Sequence, residues 1–356
     1  ITTLESFGVS SVNRLSQAWT SRLSAGEGSD DSVSKGGFGH APFRTRQRQY
    51  AWQNEFDAAS ALSPWRLTRA LATLGVERRE ERVATDNDFA VTSRNTNAVF
   101  GAWQMEAGAH ALQATIRHDE SSQFGGRTTG ALAYGYRLAP GWRLAASYGT
   151  AFKPPSFNDL YFPDFSNPDL APETSRNVEG SLAWSGSAGE AKLDASLVVY
   201  RNRLRDMIVF LCDADFNCAP QNVERAKITG ATLAGTAAWR DTTLRASVDV
   251  ASPKDEDSGN LLPRRARRHG ALQLSQRASG WQVGAEAVVS GARYDDAENT
   301  RRMGGYTIVN LTAERALAKG VSLFMRIDNV TDKNYELAAD FATGGTQYFA
   351  GLRWAL

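Results

Sequence analysis

Residues 281–289 read Trp-Gln-Val-Gly-Ala-Glu-Ala-Val-Val. Apolar side chains take every second position from Trp281 to Val289, and Gln282 and Glu286 fall between them. A repeat of two residues is the period of a β-strand, because successive side chains of a strand point to opposite faces. The segment therefore predicts a strand with one apolar face and one polar face.

The same alternation recurs along the chain in segments of about ten residues. Clear examples are residues 112–117, 142–149, 193–199 and 323–328. We count seventeen candidate strands between residues 3 and 356. Helical spacing fits none of these examples, so the pattern predicts an all-β fold.

Short and long connections alternate between the predicted strands. Short ones include residues 139–141 and 240–241, and long ones include residues 153–173 and 294–304. Antiparallel strands joined in this way place the tight turns at one rim and the long loops at the other, as in outer-membrane β-barrels. On this reasoning we also expect a tight turn at Val12-Asn13 and long loops over residues 26–43, 80–91 and 210–221.

The composition narrows the class of protein. Of the 356 residues 42% are hydrophobic, and the formal net charge of +1 gives no basic excess for nucleic-acid binding. No run reaches the roughly 18 apolar residues of a membrane-spanning helix. Tryptophans lie near short turns or the chain end, where an aromatic girdle belongs: Trp65, Trp142, Trp184, Trp239, Trp281 and Trp354. We therefore predict a transmembrane antiparallel β-barrel; a soluble propeller or sandwich is the alternative.

The strand count bears on how much of a barrel the chain contains. Bacterial single-chain barrels close with an even number of strands, and seventeen is odd. The first residues, Ile1 to Glu5, have neither the basic start nor the apolar core of a signal peptide. We expect the chain to be part of a larger barrel, with an outward-running strand before Ile1.

Two proline motifs bracket the long loop after the eighth predicted strand. The first is Phe152-Lys153-Pro154-Pro155, and the second is Asn167-Pro168-Asp169-Leu170-Ala171-Pro172-Glu173. Both resemble the signature of TonB-dependent outer-membrane receptors, and residues 326–335 resemble the penultimate turn of that family. The resemblance implies a 22-stranded barrel around an N-terminal plug, with uptake driven through the TonB complex. It also implies that residues 1–356 are one partial barrel domain without the plug, the TonB box and about five strands.

Within that family, several blocks resemble the cobalamin receptors. They include residues 117–125, 200–208, 262–265 and 292–295, in the same order as in those receptors. The resemblance implies cobalamin import across the outer membrane of a Gram-negative bacterium by a monomeric receptor. The acidic calcium-binding loops of cobalamin receptors belong to the early barrel that is not matched here, so no calcium ion or other cofactor is assigned.

The resemblance also implies a ligand site, with Arg264, Arg293 and Tyr294 as its candidate residues. Arg264 matches a position from which cobalamin receptors contact their ligand, and a guanidinium suits a ligand with amide oxygens and a phosphodiester. Two alternatives stay open. Arg264 belongs to a basic cluster, completed by Arg265, Arg267 and Arg268, that suits lipopolysaccharide phosphates or loop carboxylates, and Tyr294 also fits an aromatic at the membrane interface.

Other functions follow less well from the residues. A ferric siderophore is the main alternative ligand, because such ligands also use arginine and aromatic side chains. Haem is less favoured, since no histidine lies between Phe152 and Pro172 to ligate iron. A passive porin is a further class. An enzyme is disfavoured because the sequence has no nucleophile-elbow motif and no glycine-rich phosphate loop.

Cys212 and Cys218 are the two cysteines of the chain. A metal site at this spacing would need further cysteines or histidines close by, and none follows. We expect a disulfide that closes a polar loop, which implies an oxidising compartment outside the cytoplasm. Two unrelated thiols are the alternative.

Overall fold

The computed structural model describes residues 2–36, 39–62, 64, 66–212 and 218–354. Strands dominate this part of the chain, and one short helix, α1 (Phe157–Tyr161), interrupts them. The first strands are β1 (Thr2–Arg14), β2 (Trp19–Gly36), β3 (Gly39–Asp57), β4 (Arg69–Thr85), β5 (Ser93–Ala107), β6 (His110–Ser121), β7 (Gly125–Ala139), β8 (Trp142–Lys153), β9 (Glu173–Ala188), β10 (Ala191–Cys212) and β11 (Cys218–Trp239).

The remaining strands are β12 (Thr242–Asp255), β13 (Arg268–Ala278), β14 (Trp281–Ser290), β15 (Arg293–Tyr294), β16 (Arg302–Met303), β17 (Tyr306–Ala318), β18 (Val321–Asp328), β19 (Glu336–Ala338), β20 (Phe341–Ala342) and β21 (Gln347–Trp354). Seventeen of the described strands form one sheet, and β15–β16 and β19–β20 form separate two-stranded sheets within long loops. The paired strands run antiparallel to their neighbours in the chain. The structure thus confirms the predicted all-β class and the seventeen strands. None of the described helices has the length and apolarity needed to cross a membrane.

The chain divides into two compact units. The first contains residues 1–136, 146–178 and 204–225, and the second contains residues 137–145, 179–203 and 226–356.

In the first unit, the two faces of the sheet differ sharply. Leu23, Trp52, Val76 and Val99 are register partners on consecutive strands, so their side chains share one face, and about half of each residue's surface is exposed. The opposite face carries charges that pair with one another. There the guanidinium of Arg117 lies 2.8 Å from carboxylate oxygens of both Glu77 and Asp119. The predicted division into an apolar and a polar face is therefore present.

The second unit repeats this division. Leu233 faces Val248 across β11 and β12, and both side chains are more than half exposed. On the other face, Asp249 accepts hydrogen bonds from the hydroxyls of Thr232 at 2.6 Å and Tyr200 at 3.2 Å. Polar side chains thus satisfy one another on one face while apolar side chains occupy the other.

Tryptophans mark the short-turn ends of the second unit. Trp239 ends β11 and Trp281 begins β14, and each ring lies under an arginine, Arg240 at 5.1 Å and Arg315 at 5.4 Å from the ring centroid. Such amphipathic pairs suit the border between lipid and water. Trp65, which we expected in the same girdle, lies outside the described residues.

The predicted boundaries are wrong at several loops. Val12 and Asn13 do not turn; they remain paired with β2, and the turn follows at residues 15–18. The described residues of the expected loops over 26–43 and 210–221 are strand, because β2, β3, β10 and β11 continue into them, and β4 takes up the first half of the expected loop over 80–91.

Cross-strand ion pairs explain the longer strands. Glu27 lies 2.5 Å from Arg48 and 3.5 Å from Arg46 across the β2–β3 pair, and Asp31 pairs with Arg44 further along. Opposite charges placed across neighbouring strands favour strand pairing. Polarity alone was therefore a poor guide to where these strands end.

Gly75 offers a test of the packing between strands. A Cβ at this position would overlap the ring of Phe100, which the Arg117 guanidinium covers at 5.8 Å from the ring centroid, whereas a Cβ at Gly28 has no atom closer than 4.0 Å. We expect Gly75→Ala to lower the free energy of unfolding by roughly 1–3 kcal/mol through overpacking, and Gly28→Ala to have little effect. Thermal unfolding followed by heat-dependent gel migration measures both; equal stability of the two variants would contradict this packing.

Candidate functional site

The loop between β8 and β9 is built by the two proline motifs. Phe152 and Lys153 end β8, Pro154 is half-buried and Pro155 is fully buried. The helix α1 then begins with a capping box, in which the Ser156 hydroxyl accepts a hydrogen bond from the Asp159 N–H and the Asp159 carboxylate accepts from the Ser156 N–H. Local sequence therefore sets the path of the chain directly after the first motif.

A buried arginine holds this loop to the sheet. Arg94 on β5 donates from Nη1 to the carbonyl of Pro155 at 2.6 Å and makes a two-pronged ion pair with Glu81, at 2.9 and 3.2 Å. Its guanidinium also lies 4.8 Å from the ring centroid of Phe157, which packs with Val83 in a small apolar core. The charge is buried, yet it is paired and hydrogen-bonded, as burial of an ion requires.

The second motif is fixed by contacts to β11. The Asn167 side-chain amide donates to the carbonyl of Pro220 at 3.2 Å, and the Asn222 side chain both accepts from and donates to the backbone of Ala171, at 2.9 and 3.1 Å. Pro168 is exposed, whereas Leu170 and Pro172 are buried.

Glu173 closes the base of the loop as the first residue of β9. Its carboxylate accepts a hydrogen bond from the Ile208 N–H at 2.7 Å and lies 3.6 Å from the Lys153 ammonium. The two ends of the loop are thus joined by side chains of the two motifs. The motif residues therefore fasten a loop to the sheet.

Three loops of the second unit meet at Asp295. Arg264, from the loop of residues 256–267, places Nε 2.7 Å from Asp295 Oδ1, and its N–H donates to the carbonyl of Tyr294 at 2.7 Å. The N–H of Ala339, from the loop of residues 329–346, donates to the same Asp295 oxygen at 3.3 Å. We call Arg264, Asp295 and Ala339 the Asp295 junction. Its two contacts to Asp295 span 31 positions from Arg264 and 44 positions to Ala339.

The predicted ligand residues occupy different positions around this junction. The Arg264 side chain is 57% exposed, and Tyr294 is half-buried in the β15–β16 pair. Arg293 is buried: it donates from Nη2 to the Glu336 carbonyl, and its guanidinium lies 5.4 Å from the ring centroid of Tyr306. Arg264 is the candidate that presents its charge to solvent, while Arg293 anchors a loop. The ligand role of all three residues stays a prediction.

Sequence reasoning did not single out the residues that shape these loops. The Asn299 side chain pairs with the backbone of Leu261 in both directions, at 2.8 and 2.9 Å, and Asp296 accepts hydrogen bonds from the N–H groups of Thr300 and Arg301. Asp295 and Asp296 directly follow Arg293-Tyr294, and this proximity was the local feature of the sequence that could have indicated their role. The positive φ of Asn299, 60°, is also typical of a turn asparagine.

Asp295 and Asp296, which follow β15 directly, have lowered pKa values. Burial alone would raise the pKa of Asp295, but the ion pair with Arg264 and the Ala339 N–H outweigh it. Burial likewise opposes the ionisation of Asp296, and the Thr300 hydroxyl and nearby backbone N–H groups reverse the effect and lower the pKa. Both groups are therefore charged at neutral pH and serve as hydrogen-bond acceptors for the loops.

The cysteines flank a segment that the structure does not describe. Cys212 ends β10 and Cys218 begins β11, while residues 213–217 and the side chain of Cys212 lie outside the described residues. The disulfide stays a prediction. Within the described ranges, no group of three or more histidine, cysteine or acidic side chains is arranged to hold a metal ion.

Comparison with known families is decisive for the fold. The sequence profile of the TonB dependent receptor-like β-barrel family matches residues 4–330, which is most of the chain. The chain belongs to this TonB-dependent receptor family. Its seventeen-stranded sheet is the β-barrel fold of the family, its exposed apolar face is the lipid-facing face, and its location is the outer membrane of a Gram-negative bacterium. The family consists of transport receptors rather than enzymes.

Relatives of the TonB-dependent receptor family differ in what they carry. The vitamin B12 transporter BtuB of Photobacterium profundum is 29% identical over 312 residues, which are 86% of this chain and 50% of the relative. Among solved structures, the siderophore receptor PirA of Acinetobacter baumannii has a TM-score of 0.77 at 14% identity, covering 99% of this chain and 62% of its own. The copper transporter OprC has a TM-score of 0.75 at 16% identity, with 99% and 65% covered.

The structural and the sequence comparisons support different conclusions. The structural likeness, at such low identity, shows the shared fold alone. The chain spans about half the length of the curated relatives it matches.

The role of Arg94 in fastening the β8–β9 loop is testable by hydrogen exchange. We expect Arg94→Gln to speed exchange of the amides of residues 156–172 about tenfold or more, because the Pro155 carbonyl loses a charge-assisted hydrogen bond. Arg79→Gln is the matched control, since Arg79 lies 3.8 Å from the same Glu81. Unchanged exchange in the Arg94 variant would show that the loop is held by other contacts.

The Asp295 junction predicts a pH dependence. A carboxylate with a lowered pKa in the folded state stabilises fully above its unfolded pKa of about 3.9, and the stabilisation is lost as the pH falls through the folded value. We expect pepsin to spare residues 329–346 at pH 5 and to cleave them only at pH values below about 3.9.

Two variants assign this pH dependence to one group. Asp295→Asn should remove the pH step in cleavage, and Asp340→Asn should leave it in place, because Asp340 is 78% exposed in its pair with Arg301. Cleavage of the denatured protein corrects for the activity of pepsin at each pH. A step above pH 5, or one that persists in Asp295→Asn, would contradict the assignment.

Proposed function

We propose that the chain is the barrel of a receptor that binds cobalamin on the extracellular side and imports it with energy from TonB. The observation that carries this proposal is the match to vitamin B12 transporters over 86% and 84% of the chain at 29% identity. TonB coupling, a single-chain receptor and contact with lipopolysaccharide belong to the same proposal.

The Asp295 junction supplies a suitable group for such a ligand. Asp295 engages Nε of Arg264, which orients the guanidinium while more than half of the side chain stays exposed. A guanidinium has five N–H donors, so the remaining ones are free to meet amide or phosphodiester oxygens. Arg264 adopts φ 58°, an uncommon conformation for arginine, and its N–H is held by the Tyr294 carbonyl. The site is therefore pre-organised, which lowers the entropy lost on binding.

A ferric siderophore is the second candidate ligand. Solved structures with the same fold include the siderophore receptor PirA and the ferric enterobactin receptor of Pseudomonas aeruginosa. An anionic siderophore complex would also be attracted to the exposed Arg264. Charge alone does not distinguish a cobalamin receptor from a siderophore receptor. The two functions must be distinguished by comparing the binding of the two ligands directly.

Equilibrium binding to the full-length receptor tests the proposal. We expect cyanocobalamin to bind saturably at micromolar concentration or below, and ferric enterobactin and haem to bind far more weakly. Saturable binding of either rival without cobalamin binding would overturn the cobalamin assignment.

Substitution of Arg264 tests the site separately. We expect Arg264→Ala to weaken cyanocobalamin binding about tenfold or more, as loss of hydrogen bonds to a charged donor does. Arg240→Ala is the control, because Arg240 is a similarly exposed arginine, 65% against 57% for Arg264, and it is ion-paired with Glu190 at the short-turn end of β11. If the wild type binds cyanocobalamin and Arg264→Ala binds it with the same affinity, Arg264 is not part of the site, and the proposed function still stands.

A further inference from the structure

A cavity of about 730 Å³ lies in the first unit, between the sheet and the start of the β8–β9 loop. Residues of β1 to β5 line it on one side, and residues 156–158 line it on the other. Sites for small molecules have volumes of roughly 300–1,000 Å³. The cavity is therefore large enough to take part of a ligand.

Two glycines of β2 leave this space open. Gly26 and Gly28 both line the cavity, and a Cβ at Gly28 would have no atom closer than 4.0 Å. The register partners of Gly28 are Ser6 on β1 and Gln47 on β3. A larger side chain at Gly28 would thus fill the cavity without overlapping the sheet.

The register shows that the cavity lies on the polar face. Gln47 is the partner of both Gly28 and Glu81, and Glu81 shares its face with Glu77, because an even number of positions separates them. Glu77 belongs to the charged face of the first unit. Asp30 follows Gly28 by two positions, so the Asp30 side chain lies on the same face as the cavity.

The height of Asp30 can be estimated from strand geometry. Asp30 follows Trp19 by eleven positions on β2, which corresponds to about 36 Å along the strand. With a strand tilt of about 40°, this is roughly 28 Å across the membrane, just beyond an apolar band about 25 Å tall. Trp19 adjoins the short turn at residues 15–18. The cavity therefore lies at the level where the chain enters its long extracellular loops.

Asp30 is an unsatisfied polar group of this cavity. Its Oδ1 atom is buried and has no hydrogen-bond partner among the described residues. The basic residues nearby are engaged elsewhere: Arg46 and Arg82 are register partners on the opposite face, and Arg94 pairs with Glu81. A buried carboxylate oxygen without a partner costs free energy. A hydrogen-bond donor of a ligand would remove this cost.

We propose that the cavity around Asp30 is a second contact site for the imported ligand, and that it binds uncharged groups with N–H donors, such as the peripheral primary amides of cobalamin. This inference rests on the proposed function. A primary amide can donate to Asp30 while it exchanges hydrogen bonds with Gln47 and Asn158, two exposed side-chain amides that line the cavity. A carboxylate in the same place would be repelled by Asp30. Asp30 thus selects a neutral group over an anionic one.

The test compares cyanocobalamin with its monocarboxylate derivatives, in each of which one peripheral amide is hydrolysed to a carboxylate. Equilibrium binding of each compound to the full-length receptor gives a ratio of affinities, which a uniform loss of folded receptor does not change. We expect the wild type to bind cyanocobalamin about tenfold or more tightly than at least one derivative. Asp30→Asn should lower that ratio about fivefold or more, because it removes the repelling charge and keeps the shape of the side chain.

Two further variants keep the test specific. Asp31→Asn is the matched control, since Asp31 is the next residue of β2, lies on the opposite face and pairs with Arg44. This control should keep the ratio of the wild type. Gly28→Leu fills the cavity and should weaken cyanocobalamin binding about tenfold or more, with the fold checked by heat-dependent gel migration.

The outcomes separate this inference from the proposed function. If the wild type does not bind cyanocobalamin, the proposed function is wrong and the inference fails with it. If the wild type binds cyanocobalamin and Asp30→Asn keeps the same ratio of affinities, or Asp31→Asn lowers the ratio equally, the inference alone is wrong. Unchanged cyanocobalamin binding in a folded Gly28→Leu receptor would also contradict the inference.

Discussion

The backbone of a strand in a membrane has no water to bond with, and every N–H and C=O group must find a partner in the neighbouring strand. This constraint explains why the chain is almost wholly sheet, with each strand paired to the next. It also leaves side chains to divide by face, since the two sides of the sheet meet different surroundings. Leu233 and Val248 remain exposed on the lipid side at no cost, while Asp249 and Arg117 are each satisfied by polar partners on the other side.

The need of backbone polar groups for hydrogen-bond partners also shapes the loops. Where the chain leaves the sheet, side chains take the place of a neighbouring strand. Hydrogen bonds join Arg94 to the Pro155 carbonyl, Asn222 to the backbone of Ala171 and Asn299 to the backbone of Leu261. Such contacts are few but specific, because an unpaired polar group in a buried position is costly. They give long loops defined positions, and they place Arg264 beside Asp295 with its charge exposed. The surface that we propose to bind the ligand thus depends on the pairing of backbone groups in these loops.

Alternation in residues 281–289 and similar segments was enough to predict the all-β class and seventeen strands. The ends of the strands were harder to predict. Ion pairs such as Glu27 with Arg48 join β2 to β3, and a charged segment resembles a loop when each strand is considered alone. The candidate site was predictable only in part. Arg264, Arg293 and Tyr294 followed from a resemblance, but that Arg293 is buried and Arg264 exposed depends on Glu336 and Asp295, which reach them through long-range contacts.

Uptake of radiolabelled cyanocobalamin by cells tests the central claim most directly. Cells that express the full-length receptor, with and without functional TonB, would be compared at rising ligand concentrations. Our account predicts saturable uptake that requires TonB. Uptake that is independent of TonB and proportional to concentration would indicate a passive channel, and the absence of cobalamin uptake alongside TonB-dependent uptake of a ferric siderophore would contradict the assignment of the ligand.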